Sequence, residues 1–167
     1  MLKFIKSLTI ADLVTLGNAV FGILSIRASL DNNPSMALYM ILAAITCDFL
    51  DGKTARLTKK TTTLGHDLDS LSDAISFGVA PAIFLINTGN SLLTIISAII
   101  FALCGILRLA RFNTKPVEGG YEGMPIPLPS VIIAIYWFAH APVEFLPYLY
   151  LVLAVLMIST IKIKKVI

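Results

Sequence analysis

Charge is what this chain has least of: 14% of its 167 residues are Asp, Glu, Lys or Arg, while 57% are hydrophobic. A soluble surface needs more charge than that, so an ordinary water-soluble domain is excluded. Cysteine is scarce too. Cys47 and Cys104 lie far apart within apolar stretches, offer no metal-ligand spacing, and read as small buried hydrophobes. Basic residues are missing altogether from three connections, Asp31–Pro34, Asn87–Asn90 and His140–Glu144. No alternation of the kind a membrane barrel needs is visible, so every span is expected to be helical.

Long apolar runs are what the chain does have. Mean hydropathy is +0.87, and the length leaves room for about six spans of roughly 20 residues. The expected fold is an all-α integral membrane protein, a single domain over residues 1–167. Its six transmembrane helices fall near Leu13–Leu30, Met36–Ala55, Ser70–Asn87, Leu92–Leu109, Ile126–His140 and Phe145–Ile161. Residues 1–9, with Leu2, Phe4, Ile5 and Leu8 on one side, suggest a short N-terminal amphipathic helix. The first apolar run continues too far for a signal-peptide core, so it is expected to be retained. Pro125, Pro127 and Pro129 mark the start of the fifth span. Small residues such as Gly17, Gly22, Gly78 and Ala80 suit close helix packing in lipid.

The thirteen basic residues gather at Lys3 and Lys6, at Lys53–Lys60, at Arg108–Lys115 and at Lys162–Lys165, with Arg27 the exception. This alternation follows the positive-inside pattern and places both termini in the cytoplasm. Clusters separated by spans do not form a nucleic-acid surface, so no nucleic-acid partner is expected. Trp137, Tyr136, Tyr148 and Tyr150 fit an interfacial aromatic belt.

Against this background stand Asp48, Asp51, Asp69 and Asp73. A carboxylate at mid-bilayer costs about 2.5–3.5 kcal/mol on insertion scales. Asp48 and Asp51 are three apart at the end of the second span, and Asp69 and Asp73 four apart at the start of the third, so each pair shares a helix face. A hairpin turning through Thr61–Gly65 would bring the two faces together around a hard divalent cation: Mg²⁺, Mn²⁺ or Ca²⁺. Gly52 leaves the backbone open to a ligand, and Arg56 stands one turn on, suited to a phosphate. The plainer alternative is a set of interfacial aspartates balancing Lys53, Lys59 and Lys60. Asp67 is expected to be solvated or to support the cluster from behind, and His66 to be an exposed loop histidine. A divalent-cation transporter would also use intramembrane carboxylates, but nearer mid-bilayer.

The full pattern, Asp-x₂-Asp-Gly-x₂-Ala-Arg-x₈-Gly-x₃-Asp-x₃-Asp from Asp48 to Asp73, resembles the signature of the CDP-alcohol phosphotransferases at every fixed position. The resemblance implies a multi-pass enzyme of the cell membrane, usually a homodimer, with its active site facing the cytoplasm. Such an enzyme transfers a substituted phosphate from a CDP-linked donor to an alcohol and releases CMP. It further implies that Asp48, Asp51 and Asp69 are metal ligands for two divalent cations per site, and that Asp73 is ligand and general base, or base alone. Gly52, Arg56 and Thr62 would hold the nucleotide–diphosphate end, with Ala55 and Gly65 allowing close approach. Asp12, Thr15 and Asn18 align loosely with a donor-binding segment of the first span.

A second cluster, Arg108-Leu-Ala-Arg111-Phe-Asn113, ends the fourth span. From the residues alone, anchoring at the membrane surface and anion binding both remain open. Together with Gly123-Met-Pro-Ile-Pro and Leu68–Pro81, it is similar to the phosphatidylserine synthase branch. That likeness implies L-serine as acceptor, held by Arg108, Arg111 and Asn113, with Glu118 or Glu122 near its ammonium. The donor would be CDP-diacylglycerol or CDP-archaeol. Glycerol 3-phosphate or an inositol phosphate would suit the same arginines.

Overall fold

A computed structural model describes residues 9–58, 63–114, 120–160 and 162–164. The first helix, α1 (Ile10–Leu30), opens on a capping box. The Asp12 backbone N–H donates to the Thr9 hydroxyl at 3.2 Å, and the Thr9 N–H donates to the Asp12 carboxylate at 2.7 Å. Two donors that a helix start leaves orphaned are thereby satisfied. The helix carries its polarity inward. Asp12, Thr15, Asn18, Gly22, Ser25 and Ser29 recur every three or four residues and are all buried. Leu13, Leu16, Val20, Ile23 and Leu24 face outward. In water this arrangement would be inverted, whereas in hydrocarbon the exposed leucines cost nothing and the polar groups must find partners inside.

A short turn leads to α2 (Pro34–Thr58), with Pro34 at the first helical position and the Asn33 side chain accepting from the Met36 N–H at 3.2 Å. One continuous rod then runs from Thr63 to Thr88 in three pieces: α3 (Thr63–Asp73), a π-helical segment (Ala74–Val79) and α4 (Ala80–Thr88). Next comes α5 (Leu92–Thr114), capped by Ser91, which accepts from the Thr94 N–H at 3.1 Å. The chain closes with α6 (Pro127–Phe138), a 3₁₀ turn (Val143–Phe145) and α7 (Leu146–Ile158).

Among the described residues, four helices, Ile10–Leu30, Pro34–Thr54, Leu64–Thr88 and Leu92–Thr114, are long and apolar enough to cross a membrane. The last two apolar segments are shorter than expected. The helix of Pro127–Phe138 has 12 residues, which at the α-helical rise covers about 18 Å, against about 30 Å of hydrocarbon. Proline sets its beginning at Pro127, and an αL residue, His140 (φ 54°), follows its end. The all-α expectation is also qualified by one small ribbon. Strands β1 (Gly120–Glu122) and β2 (Lys162–Lys164) pair antiparallel, Tyr121 opposite Ile163, and join the segments that follow α5 and α7. Residues 1–8, where the amphipathic helix was expected, lie outside the described residues.

Helix α1 packs along α2 and also against the α3–α4 rod, while α5 packs on α7 and on the π segment. Small residues make these approaches possible. A Cβ on Gly22 would lie 2.9 Å from the Ser76 Cα, and one on Gly105 would lie 3.1 Å from Ile126 and 3.8 Å from the Gly78 Cα. Phe77, Phe84, Phe101, Leu38 and Ile41 fill the core between them. Tyr150 belongs to that core, not to an aromatic belt. It is fully buried, its ring lies 4.8 Å from that of Phe101, and its hydroxyl donates to the Pro81 carbonyl at 2.8 Å. A phenol can enter an apolar core only where such an acceptor waits. Trp137 packs edge-on against Phe84 at 5.3 Å, and Tyr136 donates to the Pro142 carbonyl at 2.7 Å.

Candidate active site

The acidic residues come from two helices, α2 and α3, that both pack against α1. Asp48 and Asp51 stand on one face of the last turns of α2, and Asp69 and Asp73 on one face of α3. Asp48, Asp51 and Asp69 each bring a carboxylate oxygen to within 4.8 Å of the others. Asp73 is not one of these three. It sits at the junction of α3 with the π segment, close enough to Asp48, Asp69 and Asp51 for their charges to act on it.

Contacts from α1 hold both pairs. The Thr15 hydroxyl lies 2.6 Å from Asp51 Oδ2 and 3.1 Å from the Ala11 carbonyl, so its single proton serves one of them at a time. Asn18 Nδ2 donates to Asp73 Oδ1 at 3.0 Å. Asp51 and Asp73 are 5% and 7% exposed, so both are taken out of water almost completely, while Asp48 and Asp69 remain half-buried. Buried carboxylates that face one another at this range repel strongly in a low-dielectric setting. Asp69 and Asp51 both act on Asp48, which adds to that repulsion. A set of three converging, oxygen-only donors suits a hard divalent cation, which would replace the repulsion by attraction. The residues therefore fit a metal.

The rest of the expected site is distributed unevenly. A Cβ on Gly52 would meet nothing within 4 Å, so the space beside the Asp51 backbone is open. Ala55 and Arg56 follow on α2 and Gly65 lies on the first turns of α3, all by backbone position. Thr62 and Glu118 lie outside the described residues. His66 is exposed on α3 rather than in a loop, near enough to Asp69 to interact with it electrostatically. Asp67 is exposed, as expected. Asp12 is buried and engaged in the capping box of α1.

Arg108 and Arg111 end in different surroundings. Arg108 is buried on α5. Arg111 donates through its two terminal nitrogens to the Ile158 and Ser159 carbonyls, each at 3.1 Å, and so ties α5 to the end of α7. Positive charge is favourable there, since those carbonyls form the negative end of the helix dipole. Asn113 and Ser70 bond each other across α5 and α3, with Asn113 Nδ2 donating to Ser70 Oγ at 2.8 Å. Ser70 stands next to Asp69, and sequence reasoning passed over it. It also passed over Ser76, whose hydroxyl donates to the Asn18 carbonyl at 2.9 Å. The polar stripe of α1 was the available signal for the Ser76 contact, since six small or polar residues at helical spacing in an apolar helix mark a buried polar face.

Known proteins resemble the chain closely. Residues 8–161 match the CDP-alcohol phosphatidyltransferase family. A CDP-diacylglycerol–serine O-phosphatidyltransferase of Methanocaldococcus jannaschii is 44% identical over 133 residues, covering 80% of this chain and 62% of that protein. An archaetidylserine synthase of Methanothermobacter thermautotrophicus is 36% identical over 170 residues, covering 98% of this chain and 73% of its own length. A CDP-diacylglycerol–serine O-phosphatidyltransferase of Bacillus subtilis is 33% identical over 135 residues, covering 78% and 76%. The chain thus spans between about three-fifths and three-quarters of these relatives. With the complete Asp48–Asp73 pattern on two successive helices and the match running through nearly the whole sequence, this chain belongs to the CDP-alcohol phosphatidyltransferase family.

Proposed function

We propose that this protein transfers a phosphatidyl or archaetidyl group from a CDP-linked lipid to the side-chain hydroxyl of L-serine, with release of CMP. The observation that carries the reading is the convergence of Asp48, Asp51 and Asp69 beside a fourth carboxylate, Asp73, that a separate contact from α1 holds. The three would hold the divalent cations, Mg²⁺ or Mn²⁺ with Ca²⁺ also matching the donors, two per site as the family resemblance implies. When bound, such ions neutralise charge on the diphosphate oxygens and stabilise the departing CMP.

The chain's own residues supply the remaining work. Gly52, Ala55, Arg56, Thr62 and Gly65 receive the nucleotide–diphosphate end, and the open space at Gly52 supports this. Asp73 takes the proton of the serine hydroxyl as that oxygen bonds to the phosphorus nearer the lipid. The bond from that phosphorus to the CMP oxygen breaks, CMP leaves, and the proton passes from Asp73 to solvent. Arg108, buried at the cytoplasmic end of α5, holds the serine carboxylate. Support for serine itself comes from the names of the relatives, since guanidinium groups would accept glycerol 3-phosphate equally well.

Membership in a transferase family favours this reading over cation transport. The basic clusters beside the acidic helix ends support a cytoplasmic active site in the cell membrane. The outward apolar faces of α1 and α5 meet acyl chains and leave room for a second copy in a homodimer. Purified protein given CDP-diacylglycerol or CDP-archaeol, Mn²⁺ and single acceptors should release CMP with L-serine. Turnover with glycerol 3-phosphate and none with serine would overturn the acceptor, and no CMP release with any acceptor would overturn the activity.

A further inference from the structure

We infer that Asn18 is a positioning residue for the transfer step: its amide holds one oxygen of Asp73 so that the other meets the acceptor hydroxyl. Asn18 is fully buried and spends an N–H on Asp73 Oδ1, 3.0 Å away. Its own carbonyl accepts from Ser76 Oγ at 2.9 Å, three residues beyond Asp73 on the same rod. One turn along α1, Gly22 lets the two backbones approach so closely that a Cβ there would lie 2.9 Å from the Ser76 Cα. Asn18 is therefore fixed through its backbone to the element that carries Asp73, and its side chain is aimed from a fixed point.

The other half of the amide makes the case specific. Asn18 Oδ1 is buried without a hydrogen-bond partner. An unmet buried acceptor costs about 1–3 kcal/mol, and an apolar side chain of the same shape would avoid that cost. Packing alone therefore does not account for asparagine here, whereas its bond to Asp73 does. That bond also fixes the amide's orientation, since a flipped side chain would set Oδ1 against a carboxylate oxygen. With Oδ1 of Asp73 engaged, Oδ2 is left to take the proton. Thr15, one turn earlier, makes the equivalent contact with Asp51, so α1 braces one carboxylate from each acidic helix.

The inference rests on Asp73 being the general base, and the experiment separates the two. Steady-state kinetics of Asn18→Leu should show kcat reduced on the order of 10²-fold, the scale of a misplaced reacting group. KM for the CDP-lipid and for serine should stay within about threefold, with the Mn²⁺ dependence unchanged. Asn18→Ser, which keeps a short donor, should fall between Leu and the native residue, and both variants are compared at matched thermal stability in detergent. In the Asp73→Asn background, Asn18→Leu should lower the residual rate no further, because both changes remove the same step. An unchanged kcat in Asn18→Leu, or a tenfold rise in KM for the CDP-lipid at normal kcat, would overturn the positioning role while leaving Asp73 as base. Full turnover by Asp73→Asn would instead remove the base itself. Should Asn18→Leu fail to fold, Asn18→Ser alone decides, and a native kcat in that variant at altered KM refutes the inference.

Discussion

Arg108 and Arg111 stand three residues apart on one helix, and their surroundings assign them different tasks. Two charge-assisted hydrogen bonds to the carbonyls ending α7 make Arg111 a tie between helices. Bonds of that kind contribute about 1.5–3 kcal/mol each when their acceptors are otherwise unmet. Replacing Arg111 with alanine should lower the melting temperature by several degrees in detergent and leave KM for serine nearly unchanged. Arg108→Ala should raise KM for serine at least tenfold, with KM for the CDP-lipid little altered. The opposite split, measured by initial rates at varied serine, would return the carboxylate to Arg111. Their spacing puts both arginines at the end of the fourth span, but spacing does not tell that the end of α7 receives Arg111. Asn18 teaches the same lesson. Its membership of a polar stripe was legible in its spacing from Thr15 and Gly22, whereas its partner, 55 residues away, was not.

Among the elements, the acidic hairpin was the most legible. Its register follows from helical spacing alone, and a long motif leaves little freedom. The first four helices fall close to where hydropathy places them. The last two are shorter, because Pro127 and Pro147 set where they can begin and the apolar composition says nothing of where they stop. The π segment Ala74–Val79 carries no sequence signal of its own. Its widened turn lies directly after Asp73 and receives α1 at Gly22, the kind of placement in which such turns recur near functional sites. Gly22→Val should therefore push α1 off Ser76 and loosen the Asn18–Asp73 contact. We expect a clear loss of thermal stability together with a lower kcat, whereas Val20→Ala on the outward face of α1 should do neither. Equal effects of the two substitutions would show that the α1 contact with the rod is unimportant.

At the scale of the whole molecule, the site exists only when the bundle is assembled, since α1, α2 and α3 each contribute to it. The same helix ends carry the basic clusters, so orientation and chemistry are coupled. With Cys47 and Cys104 replaced by serine, a cysteine at exposed Asn90 should react with a membrane-impermeant thiol reagent on intact cells. A cysteine at exposed Asp67 should react only after the membrane is opened. The reverse labelling would invert the topology. Cation binding tests the assembly itself, because a ligand held by two helices stabilises the folded bundle by an amount that grows with the logarithm of its concentration above the dissociation constant.

The most direct measurement is Mn²⁺ binding to the purified protein, followed by electron paramagnetic resonance and by the shift in melting temperature. Three converging carboxylates and a separate base predict that Asp48→Asn, Asp51→Asn and Asp69→Asn each weaken Mn²⁺ binding and its stabilisation at least tenfold. Asp73→Asn should bind Mn²⁺ nearly as the native protein does, yet keep only a small residual rate of turnover. Undiminished Mn²⁺ binding after all three substitutions together would contradict the cation site on which the rest depends.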